Sequence, residues 1–212
     1  AWRSGLDGTN MYPVSLNIAG RLCVVVGGGK VAERKVSGLL AAGGRVRVIS
    51  PVLTASLHAL VDRGTVTWRA KPYESGDLDE ALLVFAATDQ PAVQAAVQRD
   101  ARAAGLLANI ADAPEACDFQ IPAAVRRGDL LLTVSTSGRS PAVSALIRRQ
   151  LEGEFGEEYG LLTDLLGEVI GSPERSMAVA RNARRDVEQR FTWARAAGSL
   201  GELYGRWAAR AA

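Results

Sequence analysis

The chain has 212 residues, 48% hydrophobic and 23% charged, with a net charge of +2. That balance suits a soluble globular protein with a sizeable core, and it gives no electrostatic reason to expect nucleic acid as a partner. No apolar run approaches the ~20 residues of a bilayer span. The two cysteines and single histidine exclude a disulfide framework and a His/Cys metal cage, so a reducing, cytoplasmic setting without a fixed metal or a membrane is expected.

Residues 1–10 are polar and end before Met11; they read as a leftover of an expression vector, outside the fold. After an extended lead-in, five apolar residues at 22–26 run into Gly27, Gly28 and Gly29, and a helix-forming segment follows over 31–42. This is strand, tight turn and helix, with the spacing Gly27-x-Gly29-x-x-Ala32. Gly27 permits the turn, Gly29 lets the backbone approach a pyrophosphate, and Ala32 lets the helix pack closely on the sheet. The N–H groups of the new helix then face the phosphates. A plain glycine turn is the competing reading.

Farther along, residues 45–50 alternate as a second strand closed by Pro51, with a helix expected over 53–63 and a strand at 65–69. The continuous apolar run at 82–87 has the character of a strand buried on both faces. Thr88 or Asp89 is expected to cap a helix with Pro91 in its first turn, ending near Ala104, and 106–110 is the next strand. Alternating strands and helices predict an α/β fold, an open parallel Rossmann-like sheet covered on both faces. Ligands in such sheets bind at the carboxyl ends of the strands. Residues 27–29, 50–52, 88–89 and 109–112 lie at four such ends and converge on one crevice.

Beyond Pro122, residues 123–128 read as a short basic helix or turn and 129–135 as one more strand. A polar loop at 136–141 follows, with Ser140 as N-cap and Pro141 at the first helical position. The chain then reads helical to its end, with an apolar stripe of Leu161, Leu162, Leu165, Leu166, Val169 and Ile170, broken at 171–174. The expected organisation is a dinucleotide-binding domain over 11–121, a connecting segment over 122–153 and an all-helical C-terminal domain over 154–212. A lone strand in the connecting segment needs a partner, and pairing across a two-fold axis predicts a dimer.

Ser50 stands where an acidic ribose ligand is usual, with Arg47 upstream, so NAD and NADP both remain open. Asp112, just past a strand end, suits a proton acceptor or an orienter of substrate, or it simply ends a strand before the Pro114 turn. The 134–141 loop has serines and a threonine but no nearby base, so a helix cap is the simpler reading. His58 reads as a surface or partly buried residue and Cys117 as a free thiol. Arg126, Arg127, Arg139, Arg148 and Arg149, with Arg181, Arg184, Arg185 and Arg190 in the tail, suit either a solvated face or a polycarboxylate substrate.

Several segments together resemble one family. They are Met11-Tyr12-Pro13, the run from Val26 through Gly-Gly-Gly-Lys-Val-Ala-Glu-Arg to Lys35, Ala86-Ala87-Thr88-Asp89, Asn109-Ile110-Ala111-Asp112-Ala113-Pro114, Phe119-Gln120-Ile121-Pro122-Ala123 and Val134–Pro141. Over roughly residues 11–155 the chain resembles the precorrin-2 dehydrogenase and sirohydrochlorin ferrochelatase family, the N-terminal module of siroheme synthase. The resemblance implies oxidation of the polycarboxylate tetrapyrrole precorrin-2 by NAD+, with Fe2+ insertion by the same site in some members. It implies that Asp112 is the essential aspartate. Lys30, Val31, Pro51 and Val52 match NAD-contacting positions, with Gly27, Gly28, Gly29, Ser50, Thr88 and Asn109 beside them. The loop Thr136, Ser137, Gly138 and Arg139 falls at the substrate pocket, with Thr136 where some members carry a phosphorylatable serine. The family further implies an intertwined homodimer, and a stand-alone chain of this length implies a separate uroporphyrinogen methyltransferase upstream. An NAD-sensing regulatory domain and a small hydroxy-acid dehydrogenase are rivals. The second lacks a suitably placed histidine or a Tyr-x-x-x-Lys pair.

Overall fold

The computed structural model describes residues 11–190; the segment 1–10 and the part of the expected helical domain beyond 190 lie outside them. The chain divides into two compact units, one of residues up to 122 together with 135–144, the other of 123–134 together with 145 onward.

The first unit holds a five-stranded sheet of order β3-β2-β1-β4-β5, all of it parallel. The strands are β1 (Leu22–Val26), β2 (Arg45–Ile49), β3 (Val66–Arg69), β4 (Leu83–Ala86) and β5 (Leu107–Ile110). Central β1 and β4 are buried at every position, which is why both are unbroken apolar runs rather than alternating ones. Successive residues feed opposite faces. Val25 and Phe85 join α1 (Lys30–Ala41) and α2 (Ala55–Asp62) through Val36 and Leu57, whereas Val24 and Val84 join α3 (Pro91–Ala103) through Val97 and Ala101. Burying each such side chain is worth roughly 1.5–3 kcal/mol. Ala32 is fully buried, as its small size requires. At the start of α3 the N-cap is Gln90, not Thr88 or Asp89, and its side chain makes no capping bond. Thr88 instead accepts the Gln90 N–H at 3.3 Å, and Pro91, early in the first turn, has no N–H to cap.

Between β3 and β4 the crossover over 70–82 contains no helix and is held by a buried carboxylate. Asp77, 3% exposed, accepts Arg69 Nη1 at 2.7 Å and the Glu74 N–H at 2.9 Å, and Lys71 Nζ lies 3.1 Å away. At the edge strand β5, the N–H and C=O of Ala108 and Ile110 are engaged by a strap. Asp118 N donates to Ala108 O, and Asp118 Oδ2 accepts the Ala108 N–H, both at 2.9 Å. Cys117 Sγ takes the Ile110 N–H and lies within reach of the Ile110 carbonyl, each at 3.2 Å.

In the second unit the expected basic helix at 123–128 is absent. Ala123–Arg127 is a strand, β6, paired antiparallel with β7 (Leu130–Val134) through a two-residue turn in which Gly128 has φ +53°. The strand read as lone therefore has its partner within the same chain, and a dimer does not follow from an unpaired edge. Along the chain the helices α4 (Pro141–Glu154), whose first turn belongs to the first unit, α5 (Glu158–Gly171) and α6 (Pro173–Arg190) follow. Ser140 caps α4 by accepting the Val143 N–H, as expected, and Ser172 separates α5 from α6. Gly160 lets α5 approach the hairpin turn, since a Cβ there would lie 2.9 Å from the Arg127 carbonyl carbon. The Arg127 guanidinium donates to the Phe155 and Glu152 carbonyls at the end of α4.

Burial alone would raise the Asp77 pKa, but the Glu74 N–H and the Arg69 and Lys71 cations outweigh it and hold the carboxyl below its ordinary value. A depressed folded-state pKa confers stability that is present above the unfolded pKa and lost as pH falls through the folded one. Asp77→Asn keeps an acceptor for Glu74 and removes the charge. Urea unfolding is expected to show a loss of about 2 kcal/mol at pH 7 that shrinks below about pH 4.

Candidate functional site

The carboxyl ends of the strands enclose a cleft of about 730 Å³ in the first unit, within the usual range of ~300–1,000 Å³ for cofactor sites. Its floor is the turn from β1 into α1. Gly27 has φ +120°, and a Cβ on it would lie 2.1 Å from the Ala87 carbonyl oxygen. At Gly28 the same atom would lie 2.0 Å from the Val52 carbonyl oxygen and 2.9 Å from Ser50 Oγ. Neither position admits a side chain. Gly29, the N-cap of α1, lines the cleft with nothing within 4 Å of its Cβ position. The three glycines thus do different things. Gly27 and Gly28 let backbone meet backbone, and Gly29 leaves bare space in front of the first N–H groups of a twelve-residue helix, where a phosphate fits.

The turn is fixed from both sides. Gly27 N donates to Ile49 O and Thr54 N donates to Gly28 O, each at 2.9 Å. Thr54 Oγ1 caps α2 by accepting the Leu57 N–H and donates to Glu33 Oε2 at 2.9 Å; Glu33 also pairs with Lys30 at 3.3 Å. The Thr54 hydroxyl first, then other hydrogen bonds and the Lys30 charge against a smaller desolvation penalty, hold the Glu33 carboxyl below its ordinary value. Ser50 is nearly buried, and its hydroxyl donates to Val52 O at 2.8 Å, so it braces the loop.

Toward β4 and β5 the cleft is walled by Thr88, Asp89, Gln90 and Asp112. Asp112 is exposed and has φ +60°, a left-handed conformation that aspartate tolerates better than most residues. Its loop is held by Gln94, whose Nε2 donates to Thr88 O at 2.6 Å and to Ala111 O at 3.3 Å.

Gly27, Gly28, Gly29, Lys30, Val31, Ser50, Pro51, Val52, Thr88 and Asp112 all line this one cleft. Asn109 does not. Its amide donates to Phe119 O at 3.0 Å and accepts Lys35 Nζ at 3.2 Å, and Lys35 also lies over the Phe85 ring. Thr136, Ser137, Gly138 and Arg139 are not among the lining residues either. Thr136 exchanges hydrogen bonds with Ser140 and faces Ser144 Oγ at 3.2 Å, and Gly138 approaches the Gln120 side chain. His58 is exposed and meets the Trp68 ring edge-on. Cys117 is a free thiol whose pKa is raised, chiefly by burial. Among the described residues, no group of three or more His, Cys, Asp or Glu could hold a metal ion, and no helix is long and apolar enough to cross a membrane.

Sequence reasoning missed Thr54, Gln94 and Tyr73. Each acts through a hydrogen bond to another element, which spacing along the chain does not announce. Thr54 alone carried a signal, as a threonine before an apolar helix.

The sequence matches the profile of the family described as "Putative NAD(P)-binding" over residues 14–123 and that of "Sirohaem biosynthesis protein central" over 127–154. It is 38% identical over 194 residues to a siroheme synthase of Xylella fastidiosa, covering 91% of this chain and 40% of that protein. With a siroheme synthase of Nitrosococcus oceani the identity is 41% over 150 residues, covering 71% and 32%. The chain thus spans about 40% or less of the length of these relatives. The solved structure of SirC, a precorrin-2 dehydrogenase, superposes with a TM-score of 0.67 at 27% identity, covering 92% of this chain and all of that one.

Two alanine variants separate scaffold from ligand contact. Gly28→Ala forces a backbone clash and is expected to lower stability by more than about 2 kcal/mol. Gly29→Ala should leave the thermal midpoint within about 2 °C while weakening NAD(P)+ binding roughly tenfold or more, read by calorimetric titration.

Proposed function

The chain belongs to the NAD(P)-binding family and carries, C-terminal to that region, the central segment of sirohaem biosynthesis proteins; we propose that it oxidises precorrin-2 to sirohydrochlorin with NAD+. The observation that carries this reading is the cleft itself, where a bare helix N-terminus at Gly29 and the carboxylate of Asp112 lie at different strand ends of one cavity. The phosphates would lie at residues 29–31, and the nicotinamide, over the ends of β4 and β5, would supply the hydride acceptor.

The reaction removes two hydrogens from the substrate. One C–H bond breaks and its electron pair leaves as hydride to NAD+. A second hydrogen leaves as a proton, so the products are sirohydrochlorin, NADH and H+. Asp112 is the carboxylate placed to take that proton or to orient the pyrrole nitrogens. Its left-handed backbone and the Gln94 clasp on the neighbouring Ala111 carbonyl fix the loop that carries it. Of the two dinucleotides we favour NAD+. The Glu33 carboxylate sits beside the loop after β2 and engages Lys30, a cation of the cleft. Lys30 is the one cation among the described lining residues and is already paired with Glu33, so no unpaired cation is offered to a 2′-phosphate.

The wider setting is part of the same proposal. A homodimer is supported by the apolar side chains of α5 that the single chain leaves exposed, among them Leu161, Leu165 and Ile170. Two free cysteines support a cytoplasmic location. A uroporphyrinogen methyltransferase would supply the substrate, and Fe2+ would enter as a substrate of a second step, without a resident metal.

The test is anaerobic reduction of NAD+ by precorrin-2, followed by absorbance, with Asp112→Ala alongside. The wild type should form NADH and sirohydrochlorin, and the variant should lose roughly 100-fold or more in kcat with NAD+ affinity intact. Fe2+ added afterwards should give siroheme if the second step is present. A folded wild type that binds NAD+ and makes no NADH would favour a regulatory NAD sensor.

A further inference from the structure

We propose that Lys35, a residue of α1 outside the cleft lining, is a positioning residue for Asp112: it fixes the Asn109 amide that closes the base of the loop carrying that carboxylate. The proposal rests on the reading of Asp112 as the carboxylate that meets the substrate. Asn109 lies within β5, just before that loop, and is 9% exposed, so its side chain acts inside the fold rather than on a ligand.

The chain leaves the sheet after Ile110 and returns alongside β5 at Asp118, so the segment bearing Asp112 is a compact loop with joined ends. Asp118 pairs with Ala108 through its N–H and its carboxylate, and Cys117 Sγ takes the Ile110 N–H. Asn109 adds the closing bond, Nδ2 to Phe119 O at 3.0 Å. An amide has a donor end and an acceptor end, and its neighbours decide which way round it sits. Lys35 Nζ can only donate, and it lies 3.2 Å from Asn109 Oδ1. With the oxygen held by a cation, the NH2 group is turned toward the Phe119 carbonyl. Lys35 thus orients a hydrogen bond that it does not itself make.

A half-buried ammonium is a poor filler for this space. α1 packs on β1 and β2, and the Lys35 side chain passes the Phe85 ring of β4, 5.5 Å from its centroid, to reach β5. Phe85 in turn meets Phe119 edge-on at 5.4 Å, so one ring supports both ends of the contact. The partners of Lys35 are a neutral amide and an aromatic face, neither of which is a counter-charge. Burial first, and the neighbouring Arg34 charge second, push its pKa below the usual lysine value. A methionine would fill the same space with no charge to desolvate. What the ammonium adds is a donor at Asn109. It also ties the helix whose first N–H groups face the cleft to the strand that leads into Asp112, so phosphate site and carboxylate keep one separation.

The test uses the full chain with precorrin-2 and NAD+ under anaerobic conditions. Lys35→Met keeps most of the side-chain length and loses the donor. It should lower kcat roughly tenfold while the dissociation constant of NAD+, from calorimetric titration, stays within about twofold. Its thermal midpoint should stay within about 2 °C of wild type or rise, because the buried charge is gone. Lys35→Arg, which keeps a donor over the Phe85 ring, should bring kcat back to within about threefold. A residue that only supports the fold would show the reverse, a lower midpoint with kcat unchanged in the folded protein. Should Lys35→Met not fold, Lys35→Gln, too short to reach Asn109, should lose roughly tenfold in kcat as well. Wild-type kcat in folded Lys35→Met or Lys35→Gln, with Asp112→Ala inactive, overturns the positioning role and leaves the dehydrogenase reading standing. A wild type that binds NAD+ and makes no NADH overturns both.

Discussion

Everything in the first unit depends on a steric constraint at the end of β1, where two successive residues must have no side chain. The carbonyl oxygens of Ala87 and Val52 occupy the places where the Cβ atoms of residues 27 and 28 would be. Because those oxygens belong to the segments after β4 and β2, the contact draws three strand ends together. The hydrogen bonds of Gly27 to Ile49 and of Thr54 to Gly28 then fix the distance. The cleft is what remains above this joint. Its floor is bare backbone, and the partial positive charge of the α1 N-terminus is not shielded by a side chain.

Around that joint the sheet assigns different duties to its two halves. On the β4–β5 side, polar groups gather and the backbone holds a left-handed aspartate, a conformation that costs on the order of 1 kcal/mol and persists because Gln94 ties its neighbours down. On the β2–β3 side the lining is apolar, and polar groups such as Ser50 and Thr54 are turned into braces. The crossover between β3 and β4 has no helix to rigidify it. A buried Asp77 with two cations and a Tyr73–Asp100 tether do that instead.

Much of this was legible from residue order, for physical reasons that differ by element. β1 and β4 are buried on both faces, so their sequences are continuous apolar runs that admit few other readings. The glycine turn was readable because steric need selects one residue type, although Gly28 proved as constrained as Gly27, and only coordinates could show which carbonyl it meets. Residues 123–127 were misread because two arginines in five residues suggest a solvated helix. The signal that identifies them as a strand was the Gly128-Asp129 pair between two runs of like length, a hairpin turn. Asn109 illustrates a different limit. Its position at a strand end is that of a ligand contact, yet its amide is engaged by Phe119 and Lys35, and nothing in the sequence says which way an amide will be used.

The strap along β5 has a consequence for how the chain survives synthesis. A parallel sheet forms late relative to its helices, and its outer strand is the natural template for a second nascent chain. Residues 117 and 118 occupy the N–H and C=O groups of Ala108 and Ile110, so the template is already read by the chain's own continuation, a few residues downstream. The same stretch begins where the Asp112 loop ends. Intermolecular strand addition at this edge would have to displace the strap, disturbing the loop that bears the carboxylate. Resistance to aggregation and integrity of the loop are therefore one cooperative property of residues 107–118, to be gained or lost together.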